Sequence, residues 1–276
     1  MEESERQRII EERKQWYSQT FVLFEIVKGL KHRELCFLTP KFEEKKKAVR
    51  YLLALNVDYL RKHFQAFAFE KSLMNMYHSV AVLRDVPVFS YNLMARKHED
   101  IYQEFNKNYE KYAVGYNFFF DVDGKENPAL AFEEAKQIKN ILEEFKVPYY
   151  LLNSSKTGFH FVVPSWFLSF ESIDKTLEVL NNVLYNIIGI YDFKCLDPSI
   201  IDMKRVQKVP YSYECSGCIC LPLDDEQFQN FSPKIVEAQS VMANNRIKNR
   251  GLLIREYGLN EEQLKENVKK FLGEFQ

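Results

Sequence analysis

The sequence predicts an α+β fold, with a sheet core flanked by helices and a helical tail. Three observations carry that prediction. Short aromatic or branched apolar runs of strand length, at 116–120, 147–152 and 158–163, alternate with segments whose apolar residues recur at helical spacing. Hydrophobic residues make up 46% of the 276 and charged residues 28%, enough for one large core or two small ones. Nine Gly and nine Pro are too few for a low-complexity or linker-rich chain.

Taken in order, residues 3–18 read as a charged amphipathic helix. Leu35-Cys36-Phe37-Leu38 reads as a strand that follows His32-Arg33-Glu34 and stops at Pro40. Residues 45–64 read as a helix with Val49, Leu52, Leu53 and Leu60 on one face, and 76–83 as a β-rich run. The aromatic run at 116–120 has the continuity of a buried strand, and Asp121-Val122-Asp123-Gly124 closes it. A helix over 130–145 buries Ala135, Ile138, Ile141, Leu142 and Phe145 on one face. Strands at 147–152 and 158–163 follow, then a helix marked by Leu177, Leu180, Leu184, Ile187 and Ile188. Residues 199–223 read as a last sheet-like stretch, and after Pro233 the chain turns polar and helical. A division near residue 225 separates a core, 1–225, from a helical C-terminal extension, 226–276.

Charge and cysteine content narrow the function classes. Lys and Arg number 38 against 39 Asp and Glu, so the net charge of −1 excludes a protein that coats nucleic acid by bulk positive charge. An enzyme with a local basic groove is not excluded. No run reaches 18 apolar residues, so no membrane partner is expected. MEESERQRIIEERK has no apolar centre and does not read as a secretory signal, and five cysteines, an odd number, suit thiols in a reducing compartment.

Asp121 and Asp123 lie two apart at a strand end, so both side chains leave the same face. Two carboxylates so placed repel unless a cation joins them, and hard divalent ions take oxygen ligands. Solvated turn acids are the alternative, but four of the five residues from Tyr116 to Phe120 are aromatic and place the strand deep in the fold. The string Phe120-Asp121-Val122-Asp123-Gly124 also fits the haloacid-dehalogenase-type phosphatases, with Asp121 as nucleophile. That fit is poor: Lys125-Glu126 follows the motif, and 120 residues precede Asp121.

Asn153-Ser154-Ser155-Lys156-Thr157-Gly158-Phe159-His160-Phe161 resembles the Ser-Gly-x-x-Gly-x-His element of archaeal and eukaryotic primase catalytic subunits. A small-residue turn admits a triphosphate closely, and Ser, Lys and His donate to phosphate oxygens. The stretch from Leu196-Asp197-Pro198 through Lys204-Arg205-Val206-Gln207-Lys208-Val209-Pro210-Tyr211-Ser212 resembles the family's third motif, an Asp before a basic cluster and a Pro-x-Ser turn. Glu12-Arg13-Lys14-Gln15-Trp16-Tyr17, Arg33-Glu34-Leu35-Cys36-Phe37 and Met76-Tyr77-His78-Ser79-Val80-Ala81 extend the resemblance upstream. The motifs keep the family's order over roughly residues 10–223. On them the chain is identified as resembling the archaeo-eukaryotic primase superfamily, in a compact primase-polymerase form, since only 36 residues separate His160 from Asp197.

The resemblance implies a mixed β-sheet, RRM-like palm and DNA-directed nucleotidyl transfer, by a primase or a primase-polymerase. It implies that Asp121, Asp123 and Asp197 bind two divalent ions, Mg²⁺ or Mn²⁺. It further implies that Ser154, Lys156 and His160 hold nucleotide phosphates, with Arg205 and Lys208 adding charge and Arg33 supporting the site. The third motif is one residue short, which makes Asp202 a rival to Asp197, and Tyr213-Glu214 stands where the family often has His. The implied partners are a DNA template and nucleoside triphosphates, with a primase large subunit or another replication protein beside them. The implied location is the cytoplasm for an archaeal or mobile-element protein and the nucleus for a eukaryotic one. A catalytically silent, nucleic-acid-binding module is the alternative of a different class.

Cys215, Cys218 and Cys220, with Cys195, have enough thiols for zinc, but the Cys-x-Cys spacing on a strand equally suits buried sheet residues, and structural zinc is not expected. The acid-free stretch from Ala238 to Arg255 carries Arg246, Lys248, Arg250 and Arg255, which suits either template phosphates or a solvated helix face.

Overall fold

The computed structural model describes residues 2–40, 48–86, 103–154, 156–168, 170–244 and 251–276. Its first helix, α1 (Glu3–Tyr17), is charged outside and buries Ile9, Trp16 and Tyr17 inside. Arg13 on that inner face is wholly buried, and its guanidinium donates to the carbonyls of Ser72 (2.8 Å), Met74 (2.7 Å) and Tyr213 (3.1 Å). Trp16 donates to the Tyr211 carbonyl at 2.8 Å, so α1 is pinned to the 211–214 turn by donors that leave no buried carbonyl there unpaired. Helix α2 (Thr20–Gly29) follows, and its inner face buries Val22, Leu23 and Ile26.

Nine strands form three small antiparallel sheets among the described residues. The first holds β1 (Leu35–Leu38), β2 (Ala48–Leu52), β3 (Asn75–Ser79) and β9 (Val206–Lys208) in the order β2-β1-β3-β9. The second pairs β4 (Ala81–Leu83) with β5 (Ala113–Tyr116). The third holds β6 (Phe118–Val122), β7 (Tyr150–Asn153) and β8 (Phe159–Val163) in the order β6-β8-β7.

Two runs that look continuous in sequence are bent here. The 76–83 run breaks at Val80 and the aromatic run breaks at Asn117, and each break hands the chain to another sheet. The Asn117 amide donates to the Val80 carbonyl at 3.2 Å, which joins the two corners. Arg33 completes the joint: its guanidinium donates to the Val80 carbonyl and, at 2.8 Å, to Asn117 Oδ1.

The helix expected over 45–64 is corrected. Residues 48–52 form β2 on the edge of β1, and α3 (Val57–Ala66) begins only after Asn56, whose side chain accepts from the Tyr59 amide. The spacing of Val49, Leu52 and Leu60 matched a helix by chance, and cross-strand pairing with β1 decides otherwise. The 199–223 stretch is likewise mostly turns, with β9 as its one strand and isolated bridges beyond it.

Helix α4 (Pro128–Glu144) starts at Asn127, which accepts from the Leu130 amide, with Pro128 in the first turn. Helix α5 (Ile173–Tyr191) is capped by Ser172 and ends at Asp192 in a left-handed conformation. Residues 251–260 are not helical, and Arg255 pairs with Tyr149 at the edge of the third sheet. Helix α6 (Glu261–Phe275) has an Asn260/Gln263 capping box and packs on α5, with Phe271 centred 6.4 Å from Phe118 and 5.7 Å from Phe145. No helix among the described residues is long and apolar enough to cross a membrane.

Candidate active site

The site forms where β6 ends. Phe118 and Phe120 are fully buried and Asp121 stands next in line, directly across from His160 on β8. Opposed residues on paired strands share a face, and His160 Nε2 lies 3.1 Å from Asp121 Oδ1. His160 is itself buried, and its Nδ1 has no hydrogen-bond partner among the described residues.

The free edge of β6 takes up the chain that follows α5. Asp123 donates its amide to the Cys195 carbonyl at 2.8 Å, Val122 bridges Leu196, and Asp197 donates its amide to the Asp121 carbonyl at 2.9 Å. Asp197 then caps a helical turn, Pro198–Ile200, accepting from the Ser199 amide at 2.8 Å and hydroxyl at 2.7 Å. Arg205 closes the group, with one guanidinium nitrogen 2.7 Å from Asp197 Oδ2 and 3.6 Å from Asp121 Oδ2.

Burial pulls the Asp121 carboxyl upward, but His160, Arg205 and Lys208 outweigh it and hold the group below its ordinary value. Asp197 is lowered as well, burial again opposing and the Ser199 and Arg205 hydrogen bonds prevailing. Asp202 goes elsewhere: its carboxylate accepts the Lys204 amide at 2.9 Å, and its backbone meets the Tyr116 hydroxyl. Asp123 is more exposed and turns to Lys125, whose ammonium lies 2.6 Å away.

The turn expected to receive phosphates packs against this acidic end. Ser154 donates its amide to the Gly158 carbonyl at 2.8 Å; Ser155 lies outside the described residues. Gly124 is what permits the approach. A Cβ there would overlap the Thr157 carbonyl oxygen and stand 3.0 Å from Thr157 Cβ, so only glycine fits. Lys156 is half-exposed at the turn, 4.0 Å from Glu237.

The remaining sequence-selected cations are placed differently. Lys208 is held inward by Glu214 at 2.7 Å and by the Ser154 carbonyl, so it fastens the turn to β9. Burial pulls its pKa down, and Glu214, with Tyr77 and Cys220 beside it, together raise it above the ordinary value. Arg33 serves the sheet corners described above, and burial lowers its pKa to about 10. Arg255 is paired with Asp225 and Glu143, and Arg246, Lys248 and Arg250 lie outside the described residues. Of the cysteines, Cys215, Cys218 and Cys220 are buried, and Cys215 accepts from Asn75.

His78, to which the sequence assigns no role of its own, is buried and hydrogen-bonded inside the fold. His78 donates from Nδ1 to the Ser79 carbonyl at 2.8 Å, and its Nε2 lies 3.0 Å from the Gln207 amide nitrogen, which also reaches the Tyr150 hydroxyl at 3.4 Å. Burial, with Arg33 adding to it, depresses the His78 pKa to about 3. Glu214, at the position where the resemblance leads one to look for His, is instead the partner of Lys208.

Among the described residues no three His, Cys, Asp or Glu side chains are gathered into a metal cage. What converges is a pair, Asp121 and Asp197, with hard oxygen donors held ionised and already sharing one positive group. That donor set fits a divalent cation of the Mg²⁺ or Mn²⁺ kind.

No family model and no curated protein matches the sequence. Solved structures do. The polymerase domain from Mycobacterium tuberculosis Ligase D, determined in complex with DNA, is 12% identical over 90% of this chain and 90% of its own, with a TM-score of 0.57. The catalytic domain of primase Repb', in complex with initiator DNA, is 8% identical over 92% of this chain and 97% of its own, with a TM-score of 0.39. The Ligase D likeness is one of fold. The chain therefore shares the fold of that polymerase domain, a mixed helix-and-sheet fold of the class the sequence predicts.

Proposed function

We propose that the chain is a template-directed nucleotidyltransferase, a primase or primase-polymerase that joins nucleoside triphosphates on a DNA template. The observation that carries this reading is the convergence of Asp121, Asp197, His160 and Arg205, from three separate chain segments, on one end of β6. The Ligase D polymerase domain was solved with DNA, and the shared fold is the ground for proposing a DNA partner here.

Asp121 and Asp197, with Asp123 beside them, would hold Mg²⁺ or Mn²⁺, which when bound acidifies a primer hydroxyl and neutralises triphosphate charge. The protein's own groups do the rest. Their lowered pKa values keep Asp121 and Asp197 ionised at neutral pH, ready to act as oxygen ligands. Arg205 presents a planar fork suited to phosphate oxygens, and Lys156 offers an exposed ammonium beside them. The turn at 154–158 keeps its backbone close to the acids because Gly124 lets it. Lys208 and Glu214 fix that turn rather than reach outward.

The test is incorporation of labelled nucleotide onto a primed DNA template with Mn²⁺ or Mg²⁺, wild type against Asp121→Asn. Extension by the wild type that the variant loses is expected. A wild-type protein that incorporates nothing under either metal sinks the proposal.

A further inference from the structure

A buried carboxylate outside the acidic pair holds the start of the segment that leads to Asp197. Glu134 lies on the inner face of α4, among Ala131, Ala135 and Ile138, and is only 4% exposed. A carboxylate in that setting is costly unless its charge is met by hydrogen bonds. It meets two consecutive backbone amides: Lys194 donates to Oε1 at 2.7 Å and Cys195 donates to Oε2 at 2.9 Å.

Those amides begin the segment that zips onto β6. Immediately beyond them the Cys195 carbonyl accepts the Asp123 amide, Leu196 bridges Val122, and the Asp197 amide donates to the Asp121 carbonyl. The segment is three residues long, too short to set its own register by side-chain pattern. A one-residue slip against β6 would turn Asp197 to the other face and separate it from Asp121. Two adjacent amides captured by one rigid carboxylate fix both the position and the direction of the segment before it reaches β6. An apolar residue at 134 would pack as well on α4 but would leave both amides without this partner.

From this geometry we infer that Glu134 is a positioning residue for the acidic pair: by gripping the Lys194 and Cys195 amides it sets the register that brings Asp197 beside Asp121. Glu134 touches no reacting group. The inference rests on the proposed nucleotidyl transfer for its catalytic consequence and on the hydrogen-bond pattern alone for its structural one, so the two are tested apart.

The experiment compares the full chain with Glu134→Gln, Asp197→Asn and the double variant. It reads amide hydrogen exchange, binding of Mn²⁺ alone by loss of its free electron-spin-resonance signal, and nucleotide incorporation. Glutamine keeps the shape of the side chain but turns an NH₂ toward one of the two amides. Expected for Glu134→Gln is cooperative melting, with exchange at residues 194–197 at least about tenfold faster while β6 and β8 stay protected. Mn²⁺ binding should be several-fold weaker, and turnover about tenfold lower with the nucleotide KM changed less than threefold. In the Asp197→Asn background Glu134→Gln should add little, since both act through one group. Unchanged exchange at 194–197 overturns the inference, as do full additivity in the double variant or faster exchange with unchanged Mn²⁺ binding. If Glu134→Gln does not melt cooperatively, Glu134→Asp, which keeps the charge one methylene short, is read by the same criteria. Absence of wild-type incorporation counts against the proposed function only, because exchange and Mn²⁺ binding decide the positioning role without it.

Discussion

Asp197 donates its backbone amide to the backbone carbonyl of Asp121 at 2.9 Å, so two acids that are 76 positions apart in sequence are neighbours across a strand edge. Asp202 has no such link to β6 and spends its carboxylate on the Lys204 amide. Asp197→Asn should therefore reduce nucleotide incorporation by more than about a hundredfold, while Asp202→Asn should cost less than about tenfold. Single-turnover primer extension measures both. Equal losses would mean that the third motif has been read in the wrong register.

Arg205 reaches both acids, and its geometry separates charge from shape. Arg205→Lys keeps the charge but loses the planar fork. The nucleotide KM should rise about tenfold in Arg205→Lys, with a smaller change in turnover. Steady-state kinetics over nucleotide concentration checks this, and an unchanged KM would remove Arg205 from phosphate binding.

Gly124 ties the acidic strand end to the 154–158 turn. Gly124→Ala places a methyl against a backbone carbonyl that no rotamer change can move aside, so the turn must shift. A loss of about 1–3 kcal/mol of stability is expected from such overpacking. Urea unfolding gives the stability, and nucleotide affinity measured on the folded variant should fall with it. An alanine variant as stable as wild type would show that the two loops do not touch.

These residues mark how far the sequence could be read. Asp121 and Asp123 were legible because an aromatic run delivers them to a strand end, and period-two geometry needs nothing from the rest of the fold. His160 was legible as part of a turn motif, though its pairing with Asp121 depends on β6-β8 register, which the local pattern does not contain. Lys208 drew notice as a cation beside a motif; that it faces Glu214 is decided by how 209–214 doubles back against β9. The corners at Val80 and Asn117 were invisible because each run keeps strand composition on both sides of its corner, and Arg33 filling the joint reveals that each run serves two sheets. The misread helix over 45–64 has the same origin. A period of apolar residues is a local signal, and pairing of β2 with β1 overrides it.

His78 sets a pH dependence for stability. In the unfolded chain it titrates near 6.5, whereas in the fold burial and Arg33 keep it neutral down to about 3. Between those values the unfolded state binds the extra proton, so stability falls as pH is lowered through that window, by up to about 1.4 kcal/mol per pH unit from this group. His78→Gln should flatten the slope of unfolding free energy between pH 6 and 4, roughly by that amount, in urea melts at several pH values. A slope unchanged from wild type would show that folded His78 titrates normally.

The measurement closest to the central claim is a crystal of the chain soaked with Mn²⁺ and a nucleoside triphosphate, read by the anomalous signal of the metal. The account predicts manganese coordinated by carboxylate oxygens of both Asp121 and Asp197 at about 2.1–2.3 Å, with the triphosphate on the side of Arg205 and the 154–158 turn. Manganese bound through Asp202 in place of Asp197, or a nucleotide bound with no metal at the pair, would contradict it.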